Sequence, residues 1–476
     1  MAGYDNDTTD SYDARKRKRS QSPPRKGKRR DEETDQLPQP YNAKELQAAK
    51  RRAVSPSEQP RKQKRPGARA RISETEREAI RQRALDRERA LEAAAHAETE
   101  RQRNINDVVT QHYNSVPERG RDWRRTDSKI KGLRAFNNWI KSCIIQKFSP
   151  DEDYSPSSRE QGSSTGKELL VLDIGCGKGG DLGKWQQAPQ PVELYVGLDP
   201  ADVSIDQARE RYRQMGSRGG GGRGGRGGYR RPAPRLFEAR FQVKDCYGES
   251  IEDIEIVRQV GFDTNPLSRR GFDVVSMMFC MHYAFETEQK ARMMLRNVAG
   301  SLKKGGRLIG CIPNSDVLGE RVREFNKKME EKKQKAAEEP PPETEEGELE
   351  DGEAEQSAEW GNSIYRVRFP GKTPEDGVFR PAFGWKYNFF LDEAVEEVPE
   401  YVVPWEVLRA LAEDYNLELQ YHKTFSEIWE SEKDDEVLGP LSERMGVRER
   451  GGGRLLVSPE EMEAASFYTA FCFYKV

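Results

Sequence analysis

The sequence predicts an α/β fold in which helices cover both faces of a mostly parallel sheet. Three apolar runs are bounded by Gly, Asp or polar residues, at Leu169–Ile174, Leu194–Leu198 and Phe272–Phe279. Helix-like stretches separate these runs, and this alternation is typical of parallel strands buried on both faces. A glycine-rich turn follows the first run directly, as in folds that bind a nucleotide-like ligand at the first strand–helix connection.

Weaker signals extend the same domain toward residue 476. We expect a short strand at Arg240–Val243 and a fourth core strand at Arg307–Ile312, which follows a turn at Lys304–Gly306. A helix fits Trp405–Tyr415, and Phe467–Phe473 is predicted to be the final strand. Apolar periodicity begins near residue 105, so one large domain is predicted over 105–476.

Two low-complexity inserts are predicted to interrupt this domain. The first, at 216–233, is rich in Gly and Arg; it either contacts nucleic acid without sequence preference or is a tolerated expansion of a surface loop. The second, at 327–360, carries only acidic charge from Glu338 onward. Because like charges repel along such a segment, we expect a disordered loop.

Residues 1–104 are predicted to be a disordered basic tail. Proline and short basic clusters such as Arg15–Arg19 and Arg25–Arg30 leave little apolar surface for a core. Paired clusters of this kind indicate a nuclear-localisation signal or a loose RNA-binding arm, although a merely solvated tail is the alternative. Within the tail, 73–103 predicts a single exposed helix that Ser73 and Glu76 open as a capping box.

Composition excludes several classes of protein. The chain has 476 residues, of which 34% are hydrophobic and 34% charged, and its mean hydropathy is −0.95. No apolar run approaches the roughly 18 residues of a membrane span, and the first residues lack the apolar core of a secretion signal. The six cysteines are widely spaced without a C-x-x-C pair, which excludes the usual zinc and redox spacings and suits a reducing compartment. We therefore expect an intracellular protein without a metal site.

The glycine-rich turn is the motif that carries chemistry. Gly175, Gly177 and Gly180 satisfy G-x-G-x-x-G, and Asp199 ends the next strand, where an acid can accept hydrogen bonds from ribose hydroxyls. Asp173 precedes the first glycine by two residues and would repel a pyrophosphate, whereas it suits the cationic S-adenosylmethionine (AdoMet). Lys178 in the loop could serve a phosphate, so a nicotinamide cofactor is the alternative, and glycines that serve only a tight turn are another.

The chain resembles the eukaryotic mRNA cap (guanine-N7) methyltransferases, of the fungal type. The resemblance covers roughly 105–476 apart from the two inserts, and it implies a class I AdoMet-dependent methyltransferase with a Rossmann-like sheet. One departure is Met278, where animal relatives carry glutamine; a backbone contact to AdoMet could persist there. The matching stretches occur in the family's order at Phe136–Lys141, Val171–Trp185, Asp199–Ser204, Phe279–Tyr283, Pro313–Ser315, Phe383–Tyr387, Val398–Glu400 and Phe467–Tyr468.

The resemblance implies a role for each site residue. Asp199 would bind the AdoMet ribose and Asp245 would meet the adenine end. Together with these two, the implied or inferred cofactor contacts are Lys141, Asp173, Gly175, Met278 and Tyr283. The implied contacts to the cap and its triphosphate are Asn137, Asn138, Lys178, Lys184, Arg211, His282, Glu400 and Tyr468.

The reaction implied is methyl transfer from AdoMet to N7 of the 5′ guanosine cap of mRNA. Because N7 carries a lone pair and no proton, direct in-line attack needs no general base, and His282, Tyr283 and Glu400 would orient the reactants. The expected partners are the capped 5′ end of pre-mRNA, the capping guanylyltransferase and the RNA polymerase II tail. We expect a nuclear monomer that does not bind membranes.

Other functions and other roles stay open at this stage. The chain could be an AdoMet enzyme acting on protein or a small molecule, or an inactive RNA-binding protein that keeps the fold. Against the first, the sequence has neither the Asn-Pro-Pro-Tyr tetrapeptide of amino methyltransferases nor the paired-cysteine nucleophile of RNA carbon-5 enzymes. Each polar residue also has a structural alternative: a core histidine at His282, helix caps at Asn137 and Asn138, solvated side chains at Lys184 and Arg211, and a loop charge at Glu400.

Overall fold

The computed structural model describes residues 105–116, 120, 123, 126–154, 167–218, 235–262, 270–338 and 357–476. The predicted basic tail with its 73–103 helix lies outside these residues, as does most of each low-complexity insert. Within the described ranges, every helix is too short or too polar to cross a membrane.

The strands form two sheets. The larger sheet has seven strands and the smaller has four. In chain order the strands are β1 (Leu169–Ile174), β2 (Val192–Asp199), β3 (Glu238–Val243), β4 (Phe272–Met278), β5 (Leu302–Pro313), β6 (Glu359–Gly361), β7 (Tyr365–Arg368), β8 (Lys386–Leu391), β9 (Val395–Tyr401), β10 (Leu417–Thr424) and β11 (Tyr468–Lys475).

Helices connect the strands and cover the sheets. A single helical turn at Glu255–Val257 runs into a π-helical turn at Arg258–Phe262, and a 3-10 helix spans Met281–Glu286. The α-helices labelled here are α1 (Ile105–Ser115), α2 (Lys131–Phe148), α3 (Leu182–Trp185), α4 (Asp202–Arg218), α5 (Glu288–Ser301), α6 (Ser315–Glu338), α7 (Trp405–Asp414), α8 (Phe425–Glu432), α9 (Leu438–Met445) and α10 (Pro459–Ser466).

The larger sheet confirms the predicted α/β fold. Its strand order is β10-β11-β5-β4-β1-β2-β3, and β5, β4, β1, β2 and β3 are parallel. Only β11 and its partner β10 introduce antiparallel pairings. This arrangement is the Rossmann-like topology in which crossover helices lie on both faces of the sheet.

Both faces of the sheet are buried, which explains the unbroken apolar runs. In β1 all six side chains are buried, and alternate residues face opposite sides of the sheet. Val171 shares one core with Trp139 of α2, whereas Leu172 shares the other with Leu295 of α5. A helix on each face therefore removes both sets of β1 side chains from water.

The predicted strand bounds hold to within a few residues, with two informative differences. β4 ends at Met278 rather than at Phe279, because Phe279 has a φ of 64° and leaves the extended conformation. β5 begins at Leu302, before the predicted turn, since Leu302 still pairs with Phe272 and a bulge separates it from the Arg307 pairing with Val274. The predicted turn at Lys304–Gly306 therefore lies inside the strand.

The predicted bounds of both inserts are wrong where the structure describes them. Helix α4 extends to Arg218 and α6 to Glu338, so 216–218 and 327–338 are helical. In α6, Glu331 precedes Lys335 by one turn, and such pairs with good helix formers extend a helix beyond its packed part. At the far bound, Glu359 already belongs to β6 and pairs with Arg368.

The smaller sheet was not predicted. It is antiparallel in the order β6-β7-β8-β9, and its strands alternate buried and half-exposed side chains. Tyr387 on β8 pairs directly with Glu400 on β9. Because Tyr387 and Phe389 belong to the same core as Phe467 and Val171, this sheet places its last strand next to the ligand-binding end of the larger one.

Candidate functional site

A cavity of about 360 Å³ lies at the carboxyl ends of the parallel strands. Its wall includes Gly175 and Gly177 after β1, Asp199 at the end of β2, and Cys280 and Tyr283 after β4. In open parallel sheets, ligands bind in the crevice outside these strand ends. The cavity therefore lies where the fold itself predicts a ligand.

The glycine-rich turn needs glycine at three positions. Gly175 has a φ of 70°, and a Cβ there would lie 2.7 Å from the Cys280 Sγ. Gly177 has a φ of 50°, and its N–H donates to Asp199 Oδ2 at 2.9 Å. The third position is Gly179 and not the predicted Gly180, because Gly179 has a φ of 67° and a Cβ there would approach Leu182 Cδ1 to 2.7 Å.

Asp199 faces the cavity with both carboxylate oxygens fixed. Oδ2 accepts from Gly177 N–H, and Oδ1 accepts from Ala201 N–H at 2.9 Å. Burial raises the pKa of this carboxyl, although the two backbone donors oppose that rise. A carboxylate held in this way retains lone pairs that can accept from ligand hydroxyls.

Asp173 lies behind the turn rather than in the cavity wall. Its side chain is 2% exposed and accepts a 2.6 Å hydrogen bond from the Tyr195 hydroxyl. Burial, and then the nearby charge of Asp181, raise the pKa of Asp173 to about 7. The structure therefore leaves Asp173 outside the cavity wall that contains the predicted cofactor residues Lys141, Gly175, Asp199, Met278 and Tyr283.

Asp181, which the sequence analysis did not single out, joins two predicted lysines. Its Oδ2 lies 2.9 Å from Lys141 Nζ and its Oδ1 lies 2.7 Å from Lys184 Nζ. Lys184 Nζ also donates to Asn138 Oδ1 at 2.7 Å. Burial alone would raise the pKa of Asp181, but the two ammonium groups outweigh it and lower the pKa. An acidic residue directly after a glycine-rich turn is the signal that could have found it.

A buried polar pair lies beyond the cavity. His282 is 2% exposed, and neither ring nitrogen has a hydrogen-bond partner among the described residues. Its Nε2 lies 3.5 Å from Glu400 Oε1, while Glu400 Oε2 accepts from the Tyr387 hydroxyl at 2.7 Å. The Tyr468 ring meets the Phe279 ring edge-on, with centroids 4.9 Å apart. The fold thus brings together His282 and Glu400, which are distant in sequence.

The remaining predicted residues surround these groups. Lys178 Nζ donates to the Val116 carbonyl at 3.2 Å, and Arg211 lies on α4. Asn137 Oδ1 is buried, and no described residue donates to it. Asp245 accepts from Tyr247 N–H at 2.9 Å and lines a neighbouring cavity.

The predicted residues therefore divide into two groups. The main cavity wall contains Lys141, Gly175, Lys178, Asp199, Met278 and Tyr283. The wall excludes Asn137, Asn138, Asp173, Lys184, Arg211, Asp245, His282, Glu400 and Tyr468. It also contains side chains that the sequence analysis missed, from α1 and from the turn between β8 and β9: Val109, Thr110, Tyr113 and Glu393.

A parallel sheet with this glycine-rich turn after β1 and an acid at the end of β2 is the Rossmann-like arrangement of enzymes that bind a nucleotide-like ligand at the strand ends. The family model described as the mRNA (guanine-N(7))-methyltransferase domain matches residues 96–337 and 346–476. The chain belongs to this family, which confirms the predicted family and enzyme class.

Curated relatives carry the name mRNA cap guanine-N(7) methyltransferase. The chain is 69% identical to the one from Pyricularia oryzae, over 92% of this chain and 91% of that protein. It is 58% identical to the one from Aspergillus clavatus, over 97% and 86%. It is 42% identical to the one from Schizosaccharomyces pombe, over 78% and 83%.

Proposed function

We propose that this chain transfers a methyl group from AdoMet to N7 of the mRNA cap guanine. The observation that carries the proposal is the buried pair His282 and Glu400 beside the cavity, where His282 has no hydrogen-bond partner among the described residues. Buried polar groups are normally satisfied. A purine that enters beside them supplies those partners.

The cavity residues fit AdoMet. Gly177 lines the cavity, and a Cβ added there would meet nothing within 4 Å, so a ligand can approach this backbone. Asp199 is positioned to accept from the ribose hydroxyls, and the Lys141 ammonium suits the carboxylate of the methionine part. AdoMet supplies an electrophilic methyl group and carries no phosphate, which agrees with a cavity wall that contains a carboxylate from both Asp199 and Glu393.

The residues outside the cavity wall fit a capped guanosine. The two carboxylate oxygens of Glu400 can accept from the guanine N1–H and amino group, because Oε2 has a second lone pair beside the one that accepts from the Tyr387 hydroxyl. Lys178, Lys184 and Arg211 supply positive charge for the triphosphate. Asn137, Asn138 and Tyr468 complete the contacts that we assign to the cap.

Orientation is the main catalytic contribution that we assign to these residues. N7 bears a lone pair and no proton, so nothing has to be removed from it before attack on the methyl carbon. Holding the nucleophile, the methyl carbon and the sulfur in line can contribute about 7–11 kcal/mol. Glu400 also places negative charge near the base as it becomes cationic.

Incubation of the purified chain with labelled AdoMet and GpppRNA tests the proposal. We expect label in the cap as 7-methylguanosine, and no label with RNA that carries a triphosphate without guanosine. Label in protein or in a small molecule would favour another AdoMet enzyme, and RNA binding without transfer would favour an inactive relative. Either result would contradict the proposal.

Asp199→Ala is expected to weaken AdoMet binding about 10- to 100-fold, because a charged acceptor for ribose hydroxyls contributes on the order of 1.5–3 kcal/mol. Calorimetric titration measures the change. Asp206→Ala is the matched control, since the Asp206 side chain is 75% exposed on α4 and lies outside the cavity wall. Equal affinities for the wild-type chain and Asp199→Ala would remove Asp199 from the cofactor site.

The single-turnover methylation rate is expected to be flat between about pH 6 and 9, where a catalytic histidine would titrate. The physical reason is that N7 needs no deprotonation. Rapid-quench measurements with saturating AdoMet give the profile, and His282→Ala is measured in parallel. A bell-shaped profile that loses one limb in His282→Ala would establish His282 as an acid or base.

We further propose that the chain acts in the nucleus on pre-mRNA. The support is the set of basic clusters in residues 1–104, which lie outside the described residues. The substrate GpppRNA is the product of a guanylyl transfer, so a capping guanylyltransferase must act before this enzyme. Localisation of a fusion that lacks residues 1–72 tests the nuclear assignment, and unchanged nuclear accumulation would contradict it.

A further inference from the structure

Helix α1 forms one wall of the cavity. Val109, Thr110 and Tyr113 line it, at spacings that place them along one face of the helix, and Val116 lines it directly after the helix ends. The family resemblance rests on stretches that begin at Phe136, so none of these residues received a role from it. Their side chains face the same space as Gly177 and Asp199.

Hydrogen bonds fix this helix at its C-terminal end. Asn114 Nδ2 donates to Asp202 Oδ1 at 2.7 Å, and Asn114 Oδ1 accepts from Val203 N–H at 3.3 Å. These contacts fasten α1 to the first turn of α4. Lys178 of the glycine-rich turn donates to the Val116 carbonyl. The position of Tyr113 is therefore set by contacts of the residues that follow it directly, Asn114 and Val116.

Tyr113 contacts a predicted cofactor residue directly. Its hydroxyl lies 3.2 Å from the hydroxyl of Tyr283, across a sequence separation of 170 residues. Burial raises the pKa of both phenols well above their usual value, and the charges of Glu400 and neighbouring groups add to the rise. Both phenols are consequently neutral, and each can donate one proton.

The tyrosine pair adjoins both the cavity and the buried pair of His282 and Glu400. Both tyrosines line the same cavity as Asp199. Tyr283 follows His282 on the 3-10 helix, and the centroids of their two rings lie 4.3 Å apart. A hydroxyl that is bonded to Tyr113 cannot rotate freely. The hydrogen bond with Tyr113 therefore fixes the direction in which the Tyr283 hydroxyl can make its other hydrogen bond, at the place where AdoMet and the guanine would meet.

We propose that Tyr113 is a positioning residue for methyl transfer, acting through Tyr283. The inference rests on the proposed function, since it assigns Tyr283 to the wall between AdoMet and guanine. The Tyr113 hydroxyl orients the Tyr283 phenol, and that phenol holds the reactants in line. Orientation affects the chemical step more than ground-state binding.

Tyr113→Phe in the full chain tests this role. We expect a 3- to 10-fold lower single-turnover rate at saturating AdoMet and GpppRNA, the effect of one neutral hydrogen bond. AdoMet affinity and melting temperature should stay within error of the wild-type chain. Tyr154→Phe is the matched control, because it removes a hydroxyl that donates to the Pro189 carbonyl at 2.7 Å, outside the cavity wall.

A double-mutant comparison separates positioning from packing. If Tyr113 acts through Tyr283, the Tyr113→Phe/Tyr283→Phe variant should be no slower than Tyr283→Phe alone. Asn114→Ala removes the hydrogen bonds between α1 and α4, and this variant should instead bind AdoMet more weakly. Additive rate losses, an unchanged rate in Tyr113→Phe, or a loss of AdoMet affinity alone in that variant would overturn the positioning role. No transfer by the wild-type chain would instead overturn the proposed function, and this role with it.

Discussion

Asp181→Asn is expected to lower the free energy of unfolding by about 3 kcal/mol, because breaking a buried ion pair leaves uncompensated charge. Here two ammonium groups lose their shared anion at once. The side chains of Asp181, Lys141 and Lys184 are only 9%, 18% and 12% exposed, so water cannot fully replace the carboxylate. Urea unfolding of the full chain, followed by tryptophan fluorescence, measures the loss.

Asp206→Asn provides the control for this substitution. Asp206 pairs with Arg209 at 2.9 Å, but its side chain is 75% exposed, and exposed pairs contribute about 0–1 kcal/mol. The pKa of Asp181 is lower in the folded state than in the unfolded state. Its contribution to the stability of the fold is therefore present at neutral pH, and it is lost only as the pH falls through the lowered pKa. Because Asp181 also helps to raise the pKa of Asp173 to about 7, the two carboxylates repel each other above that pH, and the difference in stability between the wild-type chain and Asp181→Asn should be larger at pH 6 than at pH 8. Equal losses in the two variants would contradict the buried network.

Glu400→Gln is expected to reduce the single-turnover rate about 10- to 100-fold, since the carboxylate accepts hydrogen bonds from guanine with the strength of a charged acceptor. An amide presents one acceptor and one donor, so it cannot accept from both guanine groups. The rate is also measured with an inosine cap, which lacks the 2-amino group, so that the preference for guanosine over inosine can be compared between the two chains. The wild-type chain should prefer the guanosine cap, and Glu400→Gln should lose most of that preference.

Tyr387→Phe is the control for Glu400. It keeps the carboxylate but removes the hydroxyl that donates to Oε2 at 2.7 Å. We expect a smaller rate loss, about 2- to 10-fold, with the preference for the guanosine cap retained. If Glu400→Gln kept full discrimination between the two caps, Glu400 would not contact the guanine base.

The larger sheet could be predicted from the sequence because each strand that is buried on both faces is an unbroken run of apolar residues. Leu169–Ile174 is apolar except for one aspartate and ends at glycine, and the observed β1 has the same bounds. The smaller sheet gives no such signal, since β6 and β7 span only three and four residues. Its strands also alternate buried and half-exposed positions, so their apolar residues do not form runs.

The site was predictable only in part, for a similar reason. Glycines and acids at strand ends follow from local pattern, as Gly175 and Asp199 do. The Asp181 network depends on how α2 packs against α3, and the contact of Tyr113 with Tyr283 joins distant segments. Such long-range contacts depend on tertiary packing, which local periodicity does not encode. Family resemblance, rather than spacing, assigned Glu400 a role.

The position of β11 has a consequence for biosynthesis. This strand is made from residues 468–475, yet it lies between β5 and β10 and pairs with both. A ribosome therefore releases β1 to β5 long before the strand that completes their sheet has been synthesised. Until then the outer edge of β5 offers unpaired backbone groups, which are prone to wrong pairing. Contacts of such long sequence separation also slow folding, so this enzyme should depend on protection of the nascent chain until β11 has been synthesised.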